Sequence, residues 1–346
     1  VPVSRALADL GAEYLAVSNL EEAVQIRRGE VRLPILILGY TPAEYAANMI
    51  FLDITQEVHS LEYARELNEA LAGTNYILNV HLKLDTGMTR IGFFAYDNER
   101  TLDELRQVAQ LPHLHIEGVF MHFCVADSRA EADVSFTKLQ YKRFMDMLSA
   151  MAGVGIRPEI RHCCNSGATI LYPEFALDMV RPGIITYGNA PSDELEGALS
   201  LRPMMSLHSM IAQVRTVPAG TDISYGRLYR TKEETRVAVL PIGYADGLSR
   251  LLTGKASFYL QGHQVPVIGR ICMDMCMIDV SGVPEAKPGD VVTIFGYDDD
   301  GTLLPCERLA RAQGTINYEL LCQISKRIPR ICHRGAETSQ ILQYIV

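Results

Sequence analysis

Four polar or titratable groups stand where a short apolar run ends: Lys83 after residues 77–82, His122 after 117–121, Asn165-Ser166 after 159–162 and Arg181 after 177–180. If those runs are parallel strands joined by helices, the four groups gather on one rim, because barrel enzymes carry their chemistry at the C-terminal ends of their strands. A lone histidine after a strand is more often structural than catalytic, but four rim positions of this kind favour a site. Arg181-Pro182-Gly183-Ile184 adds anion chemistry. A glycine just past the last strand lets backbone N–H groups approach an anion closely, and the loops after the last two strands are the usual phosphate site of a barrel. Ser166 follows the second-to-last strand and offers a hydroxyl to the same phosphate. On the residues alone, the reading is a barrel enzyme that binds a phosphorylated ligand.

The elements that would position these groups alternate in type. Helices are expected over residues 5–10, 20–28, 42–48, 61–70, 102–110 and 137–152, where apolar residues recur at three-to-four spacing or run amphipathically. Between them lie short, mostly apolar strands led by Tyr14, Ile35, Met49, Ile77, Glu117, Glu159 and Leu177, as expected when both faces are buried. This alternation implies a parallel sheet with helical crossovers. The expected fold is α/β, a (β/α)8 TIM-type barrel over residues 1–205, with an open doubly wound sheet as the alternative. Seven strands are one short of closure, and the chain opens Val1-Pro2-Val3 inside a helix and without a methionine. The first strand is therefore expected just before Val1. Beyond Arg202-Pro203, strand-like stretches over 210–217, 236–241, 256–260, 265–270, 276–280 and 290–295 are divided by Pro218-Ala219-Gly220, Asp246-Gly247 and Pro288-Gly289. They describe a mostly β C-terminal domain over 206–346, closed by helices at 303–312 and 318–328.

Bulk properties narrow the class. The 346 residues are 48% apolar, enough for a large core, and the net charge of -9 without a basic stripe argues against nucleic acid and anionic membranes. No apolar run reaches the ~18 residues of a membrane span, and the opening residues do not read as a signal peptide, so none is expected. Eight cysteines without C-x-x-C spacing read as buried, reduced thiols and a cytoplasmic protein, and no metal is expected.

The motifs, taken in order, have a family resemblance. Lys83-Leu84-Asp85-Thr86-Gly87-Met88-Thr89-Arg90 resembles the KxDTGMxR segment of the alanine racemase family, pyridoxal-phosphate enzymes of fold type III that include related serine racemases. His122-Phe123, Asn165-Ser166-Gly167, Val180-Arg181-Pro182-Gly183-Ile184 and Ser224-Tyr225-Gly226 follow in that family's order. So do Pro241-Ile242-Gly243-Tyr244-Ala245-Asp246-Gly247, Gly269-Arg270-Ile271-Cys272-Met273-Asp274 and Thr315-Ile316-Asn317-Tyr318-Glu319.

The resemblance implies a role for each matching position. Ser166, the backbone at Gly183 and Ile184, and Tyr318 resemble the ligands of the cofactor phosphate. Arg181 matches an arginine facing the pyridine nitrogen; with a pKa above ~12 it does not readily give that nitrogen a proton, which leaves the ring a weaker electron sink. His122 resembles the residue linking Arg181 to the catalytic tyrosine, and Tyr225 matches that tyrosine, reaching the cofactor from the partner subunit of a homodimer. Arg90 resembles the contact to the cofactor's phenolic oxygen and the substrate carboxylate, and Lys83 a lysine carbamylated in many relatives. Tyr244 and Met273 resemble substrate-site residues contributed across the dimer; packing within a β domain is their plain alternative.

Racemisation needs a base on each face of the α-carbon, and in this family the pair is the tyrosine and a lysine that holds the cofactor. That lysine belongs to the first barrel strand, so it is expected upstream of Val1; Lys138, Lys142, Lys232, Lys255, Lys287 and Lys326 do not match it. The implied activity is interconversion of L- and D-alanine, an isomerase reaction that supplies D-alanine for peptidoglycan of the cell wall. The alternatives are a serine or broad-specificity racemase, including the cytoplasmic catalytic domain of a membrane-anchored glycopeptide-resistance protein, and a non-catalytic pyridoxal-phosphate-binding barrel. The complete β domain argues against the last.

Overall fold

The computed structural model describes residues 1–96, 98–335 and 337–343. The chain forms two compact units, Val1–Thr186 with Ala190–Ser200, and Tyr187–Asn189 with the chain from Leu201 onward.

The first unit runs α1 (Pro2–Asp9), β1 (Leu15–Val17), α2 (Leu20–Arg28), β2 (Ile35–Ile37), α3 (Ala46–Phe51), β3 (Ile54–Val58), α4 (Leu61–Ala70), β4 (Leu78–Asp85), β5 (Phe93–Phe94), α5 (Asn98–Val108), β6 (Leu114–Phe120), α6 (Glu131–Gly153), β7 (Ile160–His162) and α7 (Ser166–Leu171). Its strands pair in parallel in the order β1-β2-β3-β4-β6-β7, with β5 beside β4. Strand order follows chain order, the arrangement that right-handed helical crossovers produce in a barrel. Side-chain caps start several helices: Asn19, Ser60 and Asn165 accept from the backbone N–H of Glu22, Tyr63 and Ala168.

Alternation along the strands sorts the two faces. On β4, Val80, Leu82 and Leu84 pack with helix residues such as Ala23, Leu67 and Phe144 in one apolar cluster. Between them, His81, Lys83 and Asp85 are also almost fully buried, so the other face is a polar interior. That interior holds the groups with chemistry.

Two expected strands take another form. Residues 49–52 belong mostly to α3, and the strand lies one step later, at Ile54-Thr55-Gln56-Glu57-Val58. A short apolar run suits a buried helix as well as a strand, and the true strand was disguised by buried Thr55, Gln56 and Glu57. Residues 177–180 make only an isolated parallel bridge from Met179 to His162. Leu177 sits at φ 52°, a left-handed conformation that interrupts an extended run.

The second unit comprises β8 (Leu207–Met210), β9 (Gln213–Val217), β10 (Asp222–Ile223), β11 (Tyr229–Arg230), β12 (Thr235–Leu240), β13 (Ser257–Leu260), β14 (His263–Ile268), β15 (Cys276–Asp279), β16 (Val291–Tyr297), β17 (Leu303–Leu304), α8 (Cys306–Gln313), α9 (Asn317–Gln323), β18 (Arg330–Arg334) and β19 (Glu337–Leu342). Its main sheet is antiparallel, in the order β17-β16-β13-β14-β15-β12-β9 with β8 on β16. The expected strand over 210–217 is thus two, because the backbone passes from β16 to β12 at Ile211-Ala212. Similarly, α8 begins only at Cys306, since Leu303–Leu304 pairs with β16. Among the described residues no helix is long and apolar enough to cross a membrane.

Candidate active site

In the first unit, the groups expected on the rim lie around Arg181. Its Nη1 is 2.5 Å from Nδ1 of His162, and Nη2 donates to the carbonyls of Met121 (2.8 Å) and Cys163 (3.2 Å). The guanidinium lies 5.3 Å from the Phe120 ring centre. Burial draws its pKa down to about 10, opposed by the neighbouring Cys163 and Cys164, so it stays charged at neutral pH. Its Nε–H has no partner among the described residues.

Two residues further on, the Gly183 N–H donates to Ser166 Oγ at 2.8 Å. Ser166 is buried at the first turn of α7, and Ile184 opens the short turn Ile184–Tyr187. The residues expected to hold a phosphate therefore meet, except that Tyr318 lies on α9 of the other unit.

Lys83 is 5% exposed, with Nζ 4.5 Å from the Phe120 ring centre. Burial, then the charges of Arg181 and Arg90, hold its pKa well below the ordinary lysine value, against the pull of Glu57 and Asp85. Its amine is thus biased toward the neutral form. The next turn is folded by Asp85 Oδ1, which accepts from the N–H groups of Gly87 (2.9 Å) and Thr89 (3.0 Å) and delivers an exposed Arg90. Gly92 returns the chain so closely that a Cβ there would stand 2.7 Å from the Asp85 nitrogen.

His122 is held neutral. Burial first, and then Arg181, Lys83 and Arg90, press its pKa down to about 3. It feels Arg181 electrostatically, but the hydrogen bond from the guanidinium goes to His162. Sequence reasoning passed over His162, although its place at the end of β7 carried the same signal as His122.

In the second unit, Tyr225, Tyr244 and Met273 are all exposed, Tyr225 at 72%. Tyr225 follows Ser224 at φ 65° and precedes Gly226 at 73° and Arg227 at 53°. A turn with two non-glycine residues in the left-handed region costs roughly 1–3 kcal/mol at each, and such strain clusters at functional sites. Ser224 Oγ donates to the Arg270 carbonyl at 2.7 Å and so ties this turn to the segment carrying Met273. Tyr244 N–H donates to Cys272 O (3.0 Å) and Ala245 N–H to Met273 O (2.9 Å), which joins the third segment. Gly243 is needed there, because a Cβ would come within 2.3 Å of the Cys272 carbonyl oxygen. Asp246 accepts the Gly243 N–H and pairs with Arg327 at 2.6 Å, and Arg327 reaches Asp274 at 2.7 Å. Three motifs read separately in the sequence thus form one surface, beside a groove of about 420 Å³ lined by Ser224, Tyr225, Asp222, Cys272 and Met277.

Similarity to known proteins agrees with this layout. Residues 1–191 match the family model described as the N-terminal domain of alanine racemase, and residues 204–332 that of its C-terminal domain. An alanine racemase of Desulfovibrio desulfuricans is 46% identical over 96% of this chain and 86% of its own length. One of Clostridium tetani is 42% identical over 98% and 87%. The solved alanine racemase of Clostridium difficile 630 superposes with a TM-score of 0.92 at 38% identity, covering all of this chain and 88% of that one.

Proposed function

The chain belongs to the alanine racemase family, and on that premise we propose that its first unit holds pyridoxal 5'-phosphate while Tyr225 is one of the two bases that exchange the α-proton of alanine. The reaction is an isomerisation, L-alanine to D-alanine, and its chemistry divides between the residues of the two units. The observation that carries the reading is the join of a half-buried, charged Arg181 to an anion cradle two residues away, where the Gly183 N–H meets Ser166 Oγ at 2.8 Å.

That donor set suits a phosphorylated pyridine. Ser166, the backbone at Gly183 and Ile184, and Tyr318 would hold the phosphate; Arg181 would turn its uncommitted Nε–H to the ring nitrogen. Bound there, the cofactor supplies an electron sink for negative charge at the α-carbon. Arg181 keeps its own proton while donating, as a guanidinium does. Arg90 orients the substrate carboxylate. Lys83 is biased by burial to the neutral amine, the form whose nitrogen would bond carbon dioxide and release one proton to solvent, and the resulting carbamate would give Arg90 an anionic partner.

Tyr225 takes or returns the proton at its phenolic oxygen on one face of the α-carbon, with neutral His122 toward Arg181. The opposite face belongs to the family's lysine. Tyr244 and Met273 bound the substrate, and the exposure of all three second-unit residues fits completion by a second copy in a homodimer. The proposed setting is the cytoplasm, where thiols stay reduced and D-alanine is made for peptidoglycan.

Titration of the protein with pyridoxal phosphate, followed by visible absorbance, tests the cradle. Ser166→Ala weakens binding roughly 10-fold or more, the range for a lost hydrogen bond to a charged group. Unchanged affinity would overturn the phosphate assignment.

A further inference from the structure

Behind Arg181 a chain of hydrogen bonds crosses the buried interior of the first unit. Nη1 of Arg181 meets His162 Nδ1 at 2.5 Å; His162 Nε2 meets His81 Nδ1 at 2.9 Å; His81 Nε2 meets Glu117 Oε2 at 3.1 Å. The same carboxylate oxygen accepts from Tyr14 (3.0 Å) and Thr55 (3.2 Å). Both imidazoles are 0% exposed, and the proposed proton transfers use neither.

From this geometry we propose that His162 and His81 are positioning residues that relay the charge of Glu117 to Arg181 and fix which edge of the guanidinium faces the active site. The inference rests on Arg181 facing the cofactor.

The direction of every bond follows from the two ends. A guanidinium only donates and a carboxylate only accepts. His162 must therefore accept at Nδ1, carry its proton on Nε2 and donate to His81 Nδ1. His81 must carry its proton on Nε2 and donate to Glu117. One tautomer pair satisfies the whole chain, and both rings are neutral in it. The surroundings agree: burial, then Arg181, hold His162 well below the ordinary histidine value, and the bond from His81 keeps Glu117 ionised.

Packing leaves the rings little freedom to turn. His162 stacks on Phe120 with ring centres 4.9 Å apart and planes 3° from parallel, and meets His81 edgewise at 5.1 Å. Gly118 makes room for His81; a Cβ there would lie 2.5 Å from the ring. With Nη1 committed to His162 and Nη2 to two carbonyls, Nε–H is left for the site. Polarised hydrogen-bond chains in a low-dielectric interior strengthen one another, so removing charge at Glu117 is felt at Arg181.

The test is ¹⁵N NMR of the histidine-labelled holoenzyme, with His81→Gln and His162→Gln used only to assign resonances. The expected result is that both rings are neutral, protonated on Nε2 and unchanged from pH 6 to pH 9. A proton on His162 Nδ1, or titration of either ring in that range, overturns the relay and leaves the role of Arg181 itself untouched. Glu117→Gln, which keeps the shape and removes the charge, lowers kcat roughly 10-fold with KM within about 2-fold and shifts the visible band of the bound cofactor; Glu117→Asp restores most of both. A purely structural glutamate would lower stability but leave the band in place, and that outcome contradicts the relay. Loss of the band from Arg181→Lys alone would bear on the cofactor assignment instead.

Discussion

Under the proposed function, the two units prepare their shares of the chemistry in opposite ways. In the first, the groups are locked and buried wholly or in part: half-buried Arg181 by His162 and two carbonyls, buried Ser166 by Gly183, and buried Lys83 against Phe120. In the second, Tyr225, Tyr244 and Met273 stand exposed on segments tied to one another by hydrogen bonds. Burial tunes charge; exposure leaves a side chain to meet a partner. The difference teaches that electrostatic preparation belongs to the barrel-type unit and presentation to the β unit.

Substitutions can break each side separately. The largest effect is expected in the exposed unit, where Tyr225→Phe lowers kcat by roughly 10²–10⁴, the range for losing a general acid–base, without altering thermal stability. A kcat within 2-fold of the parent would remove Tyr225 from the chemistry. In the buried unit the expected damage is to stability. Gly118→Ala drives a methyl into the His81 ring and destabilises by roughly 1–3 kcal/mol in urea unfolding, as overpacking does. Finding the parent's midpoint would mean that the interior is looser than its contacts imply.

A subtler effect is expected at Arg327, which ties the Tyr244 turn to the Met273 segment through Asp246 and Asp274. Arg327→Met raises KM for alanine a few-fold with kcat nearly unchanged; an unchanged KM would show that the turn holds itself.

The smallest effect is a pH dependence. His122 has a folded pKa of about 3, against about 6.5 in an unfolded chain. The unfolded state thus binds the proton first, so this stabilisation is full above about pH 6.5 and lost as pH falls toward 3. His122→Gln should lose less of its Tm between pH 7 and pH 5 than the parent, by a few degrees. Parallel curves would contradict a half-buried imidazole held neutral in the folded state.

Much of this was legible in the sequence, for reasons that also mark the limit. Strand–helix alternation and rim chemistry gave the barrel-type unit, because period and strand ends are local signals. The strand at Ile54–Val58 was not legible, since Thr55, Gln56 and Glu57 are polar yet buried, and polarity argues locally against a core strand. His81 and Glu117 fell inside strands that were legible, but neither stands at a strand's C-terminal end, so neither was read as part of a site, although His81 lies two residues before Lys83 and so on the same face of β4. The convergence of the Tyr225, Tyr244 and Met273 segments was not readable, because it depends on contacts among segments that no local pattern relates. The motifs supplied their identities but not their meeting.

The most direct measurement follows α-proton exchange with deuterated solvent, starting separately from L- and D-alanine, in Tyr225→Phe and its parent. If the exposed tyrosine is the base of one face, exchange slows far more from one enantiomer than from the other. Equal, mild slowing from both would contradict the division of labour between the two units.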